Sequence, residues 1–479
     1  MPAPPTRHDP PAEELDRLVA HFERRELSQV ETLGAHLAQR FPASGLVWKV
    51  LGTARWMEGR AADAAAALQR AEAVAPKDPD IQVNLGNALR VQGRLAAAEQ
   101  HLRRALKLYP QSAIAHASLG NLLRDQRRLK DARASFETAV ALQPQLAAAR
   151  QNLGVVLTAQ GELAAAEAQY REVVAAQPEL LDGWVNLATL LQDTGRVRDA
   201  QDVLSQALQS VRAGQWMIAA LALTGCWILR DTQGAAQLFS AFQAQASTAQ
   251  AAQEDRALRE FFWVSARLFD FAQRNPAAYA AGDAAPLVVF GESHCLVPAH
   301  ARFDWADGPV RAQPRLVQGV KMHHLGSDAL NGWQAAIRQQ LQSVSADSHL
   351  MFTIGEIDCR PDEGIWKAHK AGKGALAYLM RNTVDRYLAW LASAVASCPV
   401  RSITLQGVPE PRHTPAEREL FLAMVADVNA RLRSGCAERG WNFLDVHAAT
   451  AGAGGKWHLD EFHLTPAFYA GAKAFLRKP

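Results

Sequence analysis

Residues 79–112, PDIQVNLGNALRVQGRLAAAEQHLRRALKLYPQS, contain the pattern that decides the fold of the N-terminal half. Prolines recur along this half every 34 residues, at Pro42, Pro76, Pro110, Pro144 and Pro178. Two further columns keep the same period, a small one at Gly52, Gly86, Gly120, Gly154 and Ala188 and a larger one at Leu68, Leu102, Phe136, Tyr170 and Leu204. Self-similarity at such a period indicates a solenoid of stacked structural repeats.

A pair of antiparallel helices explains each column. Small residues let the two helices approach closely, larger residues fill the space towards the next repeat, and proline ends the second helix. Another column, Gly59, Gly93, Gly161 and Gly195, falls between the two helices, where a turn needs positive φ. Arg127 interrupts this glycine column. The period therefore predicts one helical hairpin per 34 residues.

These columns resemble the tetratricopeptide repeat, and the resemblance implies an α-solenoid. Five units are predicted, at 45–78, 79–112, 113–146, 147–180 and 181–214. Residues 12–41 share the phase but lack the small columns, so they are predicted to be a degenerate first helix pair that caps a solenoid spanning 12–214. Residues 215–275 are predicted to be a helical capping and connecting region.

Tetratricopeptide repeats act as scaffolds that hold a protein or peptide on a concave face lined by the first helix of each unit. Asparagines occupy two columns of these first helices: Asn84, Asn152 and Asn186 in one, and Asn87 and Asn121 in the other. Amide side chains can hydrogen-bond an extended peptide backbone. The alternative is that they bond a neighbouring loop or helix end, and the sequence leaves both interpretations open.

Composition excludes several classes of protein. The 479 residues are 49% hydrophobic and 21% charged, with a net charge of +3, which implies neither disorder nor a nucleic-acid partner. The longest apolar stretch, Trp216 to Leu229, is too short for a bilayer span of ~20 residues. The sequence contains no export signal and no C-x-x-C among five cysteines, so the cytoplasm is predicted. No nucleotide motif or metal-ligand spacing is present, and no cofactor is predicted.

The second half lacks the alanine-rich helical repeats and begins with a Pro/Gly/Ala-rich linker at 276–285. Short apolar runs then alternate with helical stretches, at 286–290, 315–320, 349–355, 400–408 and 442–446. Helical periodicity covers 328–343, 374–397 and 414–438, and a closing helix is predicted at about 466–477. This alternation predicts an α/β domain over 286–479 with a parallel five-stranded sheet covered on both faces.

Polar residues follow three of the predicted strands, at the edge where α/β sheets place their active groups. Ser293 lies in Gly-Glu-Ser-His after the first strand, Glu356, Asp358 and Arg360 follow the third, and Asp460 and His463 follow the last. A Ser, a His and an Asp at one edge form a hydrolytic triad, with Ser293 as nucleophile, His463 as base and Asp460 as its orienting acid.

Strand-G-E-S-H and the D-x-x-H of Asp460 and His463 resemble the first and last blocks of the GDSL/SGNH hydrolases. The resemblance implies a flavodoxin-like three-layer α/β/α fold and a serine esterase or acyltransferase acting on an ester, such as an O-acyl glycan or modified protein. Gly326 is predicted to supply an oxyanion donor, because Gly319 falls within the predicted second strand. Glu356, Asp358 and Arg360 are predicted either to bind the substrate or to form a structural ion-pair cluster.

The third block departs from the family pattern G-x-N-D. Ile357 stands where the family has the asparagine that donates to the oxyanion. Loss of one such donor typically costs ~10²–10³ in rate. The sequence therefore also allows a second function, a repeat scaffold whose α/β domain keeps the fold and binds without catalysis.

Overall fold

The computed structural model describes residues 9–211, 214–243, 256–412, 414–451, 453, 456–459 and 463–479. The chain divides into two compact units, Met1–Val156 and Leu157–Pro479. The boundary falls inside one helix of the repeats, so the predicted domain limits remain predictions. Among the described residues, no helix is both long and apolar enough to cross a membrane.

The N-terminal part consists of consecutive helix pairs, as the period predicts. Its helices are α1 (Ala12–Glu23), α2 (Leu27–Arg40), α3 (Gly45–Met57), α4 (Ala61–Val74), α5 (Pro79–Val91), α6 (Leu95–Leu108), α7 (Ala113–Asp125), α8 (Leu129–Leu142), α9 (Ala147–Ala159), α10 (Leu163–Ala176), α11 (Leu181–Asp193) and α12 (Val197–Ser210). Each predicted unit contains one pair, from α3 and α4 to α11 and α12. The α-helical solenoid is confirmed.

The columns have the packing roles that the sequence suggests. A Cβ on Gly86 would lie 2.7 Å from the Leu102 side chain, so only glycine lets these two helices approach so closely. Gly93 has φ +75° in its turn, and Arg127, which interrupts the glycine column, has φ +61°. The turn geometry is thus kept even where a side chain makes it costly.

An ion-pair clamp joins the second helix of one helix pair to the arginine that precedes the second helix of the next pair, and it recurs every 68 residues. In the compact unit Met1–Val156, the clamp pairs Glu31 with Arg60 at 3.2 Å and Glu99 with Arg128 at 3.0 Å. In the compact unit Leu157–Pro479, Glu167 pairs with Arg196 at 2.7 Å. The solenoid therefore has a polar period of two repeats in addition to its apolar period of one.

The second unit continues with helices and one sheet. The helices are α13 (Gln215–Leu229), α14 (Thr232–Gln243), α15 (Arg256–Arg274), α16 (Met322–Leu325), α17 (Gly332–Leu341), α18 (Gly364–Lys370), α19 (Leu376–Val395), α20 (Arg418–Glu438), α21 (Val446–Thr450) and α22 (Pro466–Ala470). The strands are β1 (Ala285–Gly291), β2 (Arg302–Trp305), β3 (Gly308–Leu316), β4 (His349–Phe352), β5 (Ser402–Gln406), β6 (Asn442–Leu444) and β7 (Leu476–Arg477).

The sheet is mixed, in the order β2-β3-β1-β4-β5-β6-β7, and the prediction of a parallel, flavodoxin-like five-stranded sheet is wrong. β3, β1, β4, β5 and β6 are mutually parallel, whereas β2 and β7 are antiparallel edge strands. Only two residues join β2 to β3, a connection that requires antiparallel pairing. The predicted closing helix is shorter than expected, because its last residues form β7.

The connecting helices share the apolar core of the sheet. Leu223 and Trp227 of α13 and Leu268 of α15 belong to one buried cluster with Leu287 and Val289 of β1. Trp227 also donates from Nε1 to the carbonyl oxygen of Leu296 at 2.9 Å, in the turn that follows β1. The region predicted as a connector thus supports the sheet edge where the polar residues lie.

Candidate functional site

Ser293 lies at the carboxyl end of β1, in a 3₁₀ turn that spans Ser293–Leu296. The strand brings it there through a close approach to its neighbour β4. A Cβ on Gly291 would lie 2.1 Å from Thr353 Oγ1, so glycine is required where β1 ends. Ser293 therefore lies in the turn after the first strand, where the sequence predicted it.

Ser293 and His463 meet at this edge, although 170 residues separate them in the sequence. Ser293 Oγ lies 2.7 Å from His463 Nε2, within hydrogen-bond distance. Both residues are buried, with 4% and 7% of their surface exposed. The His294 ring stacks on the His463 ring, with centroids 4.8 Å apart, and helps to fix its orientation. Asp460, the predicted third member, lies outside the described residues.

Glu292 is a partner of Ser293 that the sequence analysis missed. Its Oε2 accepts hydrogen bonds from both the backbone N–H and the hydroxyl of Ser293. A serine hydroxyl carries one proton, so it donates either to Glu292 or to His463 Nε2 at any moment. The acidic residue before the serine was visible in the sequence, but nothing there indicated that it folds back onto its neighbour.

Glu356 and Arg360 form an ion pair within the turn that follows β4. Arg360 Nε lies 3.0 and 2.9 Å from the two carboxylate oxygens of Glu356, and Nη2 lies 2.8 Å from Oε2. This bidentate geometry is the strong form of the arginine–carboxylate pair. Of the two predicted interpretations, the observed contacts match the ion pair, while substrate binding by these residues stays a prediction.

Asp358 is fully buried and anchors the first residues of α16. Its Oδ2 accepts from the Met322 N–H at 2.7 Å, and its Oδ1 lies 3.0 Å from His323 Nδ1. A carboxylate at the first turn of a helix satisfies N–H groups that have no partner inside the helix. Asp358 thus connects the segments that follow β3 and β4.

Gly326 stands at the end of α16, and its amide is already used. Its N–H donates to the Met322 carbonyl at 2.9 Å, and its own carbonyl accepts from Arg386 Nε at 2.6 Å. The alternative glycine, Gly319, lies outside the strand, because β3 ends at Leu316, and it has φ +65°. Val317 N–H donates to the Gly291 carbonyl, so the turn containing Gly319 begins beside the end of β1.

A narrow cleft adjoins the Glu356–Arg360 pair. Charged and ring residues line it, among them Glu356, Arg360, Pro409, Glu410, Arg412 and His458. Two guanidinium and two carboxylate groups lie in this lining together with the apolar residues Pro361, Val408 and Pro411.

The asparagine columns link successive repeats. Asn84 Nδ2 donates to Thr53 Oγ1 at 2.9 Å, one repeat earlier, and Asn87 Nδ2 donates to Ser118 Oγ at 3.0 Å, one repeat later. Asn152 Oδ1 accepts from Arg124 Nη1 at 2.7 Å. Asn121 and Asn186 are half-buried. Three of the five amides therefore bond neighbouring helices, and peptide binding by these columns stays a prediction.

The cysteines Cys226, Cys295, Cys359, Cys398 and Cys436 are free. Burial raises the pKa of the Cys295 and Cys359 thiols well above the ordinary value, which makes them poor nucleophiles. Within the described part of the chain, no group of three His, Cys, Asp or Glu side chains is arranged to hold a metal ion.

Comparisons with known proteins bear on the repeats. The tetratricopeptide repeat family matches residues 49–113 and 118–180. Among solved structures, PilW, a type IV pilus biogenesis factor, is 22% identical and covers 43% of this chain and 96% of its own, with a TM-score of 0.39. PilF of Pseudomonas aeruginosa is 18% identical, with coverages of 42% and 92% and a TM-score of 0.37. A comparison with curated proteins found no match. The N-terminal region of this chain therefore contains tetratricopeptide repeats, over residues 49–113 and 118–180.

Proposed function

We propose that this protein is a serine esterase or acyltransferase whose tetratricopeptide repeats recruit a protein or peptide. The observation that carries the proposal is the hydrogen bond between Ser293 Oγ and His463 Nε2 at the carboxyl edge of the sheet. The resemblance of the surrounding blocks to the SGNH hydrolases supports it. The repeats supply the scaffold that such a partner would need.

In the proposed reaction, Ser293 Oγ attacks the carbonyl carbon of an ester while His463 Nε2 takes the hydroxyl proton. The tetrahedral intermediate collapses to an acyl-enzyme, and His463 returns the proton to the departing alkoxide oxygen. Water then completes hydrolysis, or an acceptor hydroxyl completes acyl transfer. Asp460 would orient the imidazole.

The oxyanion donors that we propose are the N–H groups of Ser293 and Gly319. Gly319 replaces Gly326 in this role, because the Gly326 N–H is engaged in its own helix. The Glu292 carboxylate occupies the Ser293 N–H, so it must move aside when the oxyanion forms.

Labelling with a fluorophosphonate probe tests the proposal. We expect wild-type protein to be labelled, and Ser293→Ala and His463→Ala to lose at least ~10³-fold in labelling rate. Ser402 provides a matched control, because its Oγ lies 2.8 Å from His349 Nδ1 and so forms a similar Ser–His pair. Ser402 and His349 are the first residues of β5 and β4, at the opposite edge of the sheet from Ser293. Ser402→Ala should be labelled like wild type.

The second candidate is a scaffold whose α/β domain binds without catalysis. Ile357 in place of the donor asparagine and the Glu292 carboxylate on the Ser293 N–H both favour it. Folded wild-type protein that resists the probe would contradict the esterase proposal and favour this alternative.

A further inference from the structure

The turn formed by Gln318 and Gly319 is held from three directions. It follows β3, which pairs with β1 so that Leu316 lies opposite Gly291, two residues before Ser293. Positive φ at Gly319 turns the chain sharply at this point. The direction of the Gly319 N–H therefore depends on how Gln318 is fixed.

Helix α11 of the last repeat supplies two of the contacts. Asp193, the final residue of α11, accepts from the Gln318 backbone N–H with Oδ1 at 2.8 Å. The preceding residue, Gln192, accepts from Gln318 Nε2 with Oε1 at 3.1 Å. Gln192 is itself buried and donates to the Leu221 carbonyl of α13 at 2.9 Å, so its position is fixed.

Helix α17 completes the arrangement. Trp333 Nε1 donates to the Gln318 carbonyl at 3.0 Å. Gln340 Nε2 donates to the Asp193 carbonyl at 2.8 Å and to the Leu316 carbonyl at 3.3 Å, and thereby ties the end of α11 to the end of β3. The backbone N–H, the backbone carbonyl and the side chain of Gln318 are all bonded.

We infer that α11 is a positioning element of the proposed active site: Asp193 and Gln192 hold the Gln318–Gly319 turn so that its amide faces the oxyanion formed at Ser293. The inference rests on the proposed function. It assigns a repeat helix to the chemistry as well as to recruitment. A displacement of about 1 Å in such a group can cost ~10² in rate.

The charge state of Asp193 determines which variant replaces it faithfully. Burial, together with the nearby Glu292 carboxylate, raises the pKa of Asp193 to about 8, while the Gln318 N–H opposes the shift. Glu292 faces it from the end of β1, and the β3 turn and α17 present the uncharged Gln318 and Gln340. The carboxyl group is therefore mostly neutral at pH 7. Asparagine keeps the same shape, charge and acceptor oxygen.

The experiment measures two quantities at pH 7 in the full chain: the rate of fluorophosphonate labelling and amide hydrogen exchange in residues 316–325. We expect Asp193→Ala to label at least ~10-fold more slowly and to exchange faster in this segment, at a temperature at which the variant remains folded. Asp193→Asn should stay within ~2-fold of wild type. Asp125→Ala is the matched control, because Asp125 ends α7 at the equivalent position two repeats earlier and pairs with Arg90.

The outcomes separate the inference from the function on which it rests. Unchanged exchange in Asp193→Ala overturns the inference whether or not the probe reacts. Faster exchange with unchanged labelling overturns the catalytic role of the turn. Absence of labelling in wild type overturns the proposed function, and with it the assignment of the turn to an oxyanion. An equal loss of labelling rate in Asp193→Asn and Asp193→Ala would overturn the role that we assign to the acceptor oxygen of Asp193.

Discussion

Polar side chains join separate elements both in the solenoid and around Ser293, but over different distances along the chain. In the solenoid, Asn84 bonds Thr53 and Asn87 bonds Ser118, each across 31 residues. Around Ser293 the separations are irregular, 170 residues to His463 and 125 between Gln318 and Asp193. A solenoid contact recurs with the period, whereas a contact at the sheet edge exists once and depends on topology.

This difference predicts different responses to substitution. Repeats contact only their neighbours, so the loss of one polar contact weakens one interface. At the sheet edge, one side chain often holds a segment that positions another, so the loss of a single contact should spread to the site. The three predictions below test this contrast.

The largest effect is expected from Asp358→Ala. The substitution leaves the buried Met322 N–H without its acceptor, which costs about 2–3 kcal/mol in the free energy of unfolding. Because the start of α16 loses its anchor, labelling of Ser293 should also fall. Urea denaturation and labelling measure the two effects, and Asp358→Asn, which keeps an acceptor, serves as the control. Unchanged stability with lost labelling would instead indicate that Asp358 acts at the site of Ser293 and not through the stability of the fold.

A smaller and more local effect is expected from Asn87→Ala. It removes the bond to Ser118 Oγ, whose residue is buried, and should destabilise the repeats by about 1 kcal/mol. Labelling of Ser293 should not change. A double-mutant cycle with Ser118→Ala isolates the bond. An Asn87→Ala protein of wild-type stability that fails to bind a peptide ligand would support the peptide-binding interpretation of the column.

The repeats were predictable from sequence because each constraint occurs several times. Gly93 indicated a turn by its column, and the turn is present. In the sheet, β4 is buried throughout and β1 is buried from Leu287 to Gly291, and both were visible as apolar runs. β3 alternates exposed and buried residues, so its apolar run was assigned too late in the chain, and Gly319 was placed inside a strand. β2 and β7 have four and two residues, too few for a pattern.

The candidate site was predictable only where the residue types belong to a recognisable catalytic pattern. Ser293 and His463 follow strands and belong to a known triad pattern, so their meeting was expected. Asp193 carries no such signal, since it is one of several polar residues near the end of a repeat helix. Its contact with Gln318 depends on how α11 packs beside β3, which no local pattern encodes. The sequence therefore indicated the proposed reacting groups more readily than the residues that we propose position them.

The smallest effect is expected at the Glu99 clamp, and its pH dependence tests the local character of the solenoid. A hydrogen bond from Gln126, with the Arg103 and Arg128 guanidinium groups, outweighs burial and lowers the pKa of Glu99 to about 2. A lowered carboxyl pKa stabilises the fold above the ordinary value of 4.5, and this contribution is lost as pH falls towards 2. Glu99→Gln should cost at most about 1 kcal/mol at pH 7, because the pair is near the surface.

Urea denaturation of wild type and Glu99→Gln between pH 7 and 3 measures this contribution. The difference in unfolding free energy should narrow below pH 4.5, because wild-type Glu99 is then charged in the folded state only. Glu137→Gln is the matched control, since Glu137 pairs with Arg133 four residues earlier in the same helix. Its effect should be a few tenths of a kcal/mol. A gap for Glu99 that stays constant with pH would mean that the clamp acts through packing, and the two-repeat period would then reflect shape rather than charge.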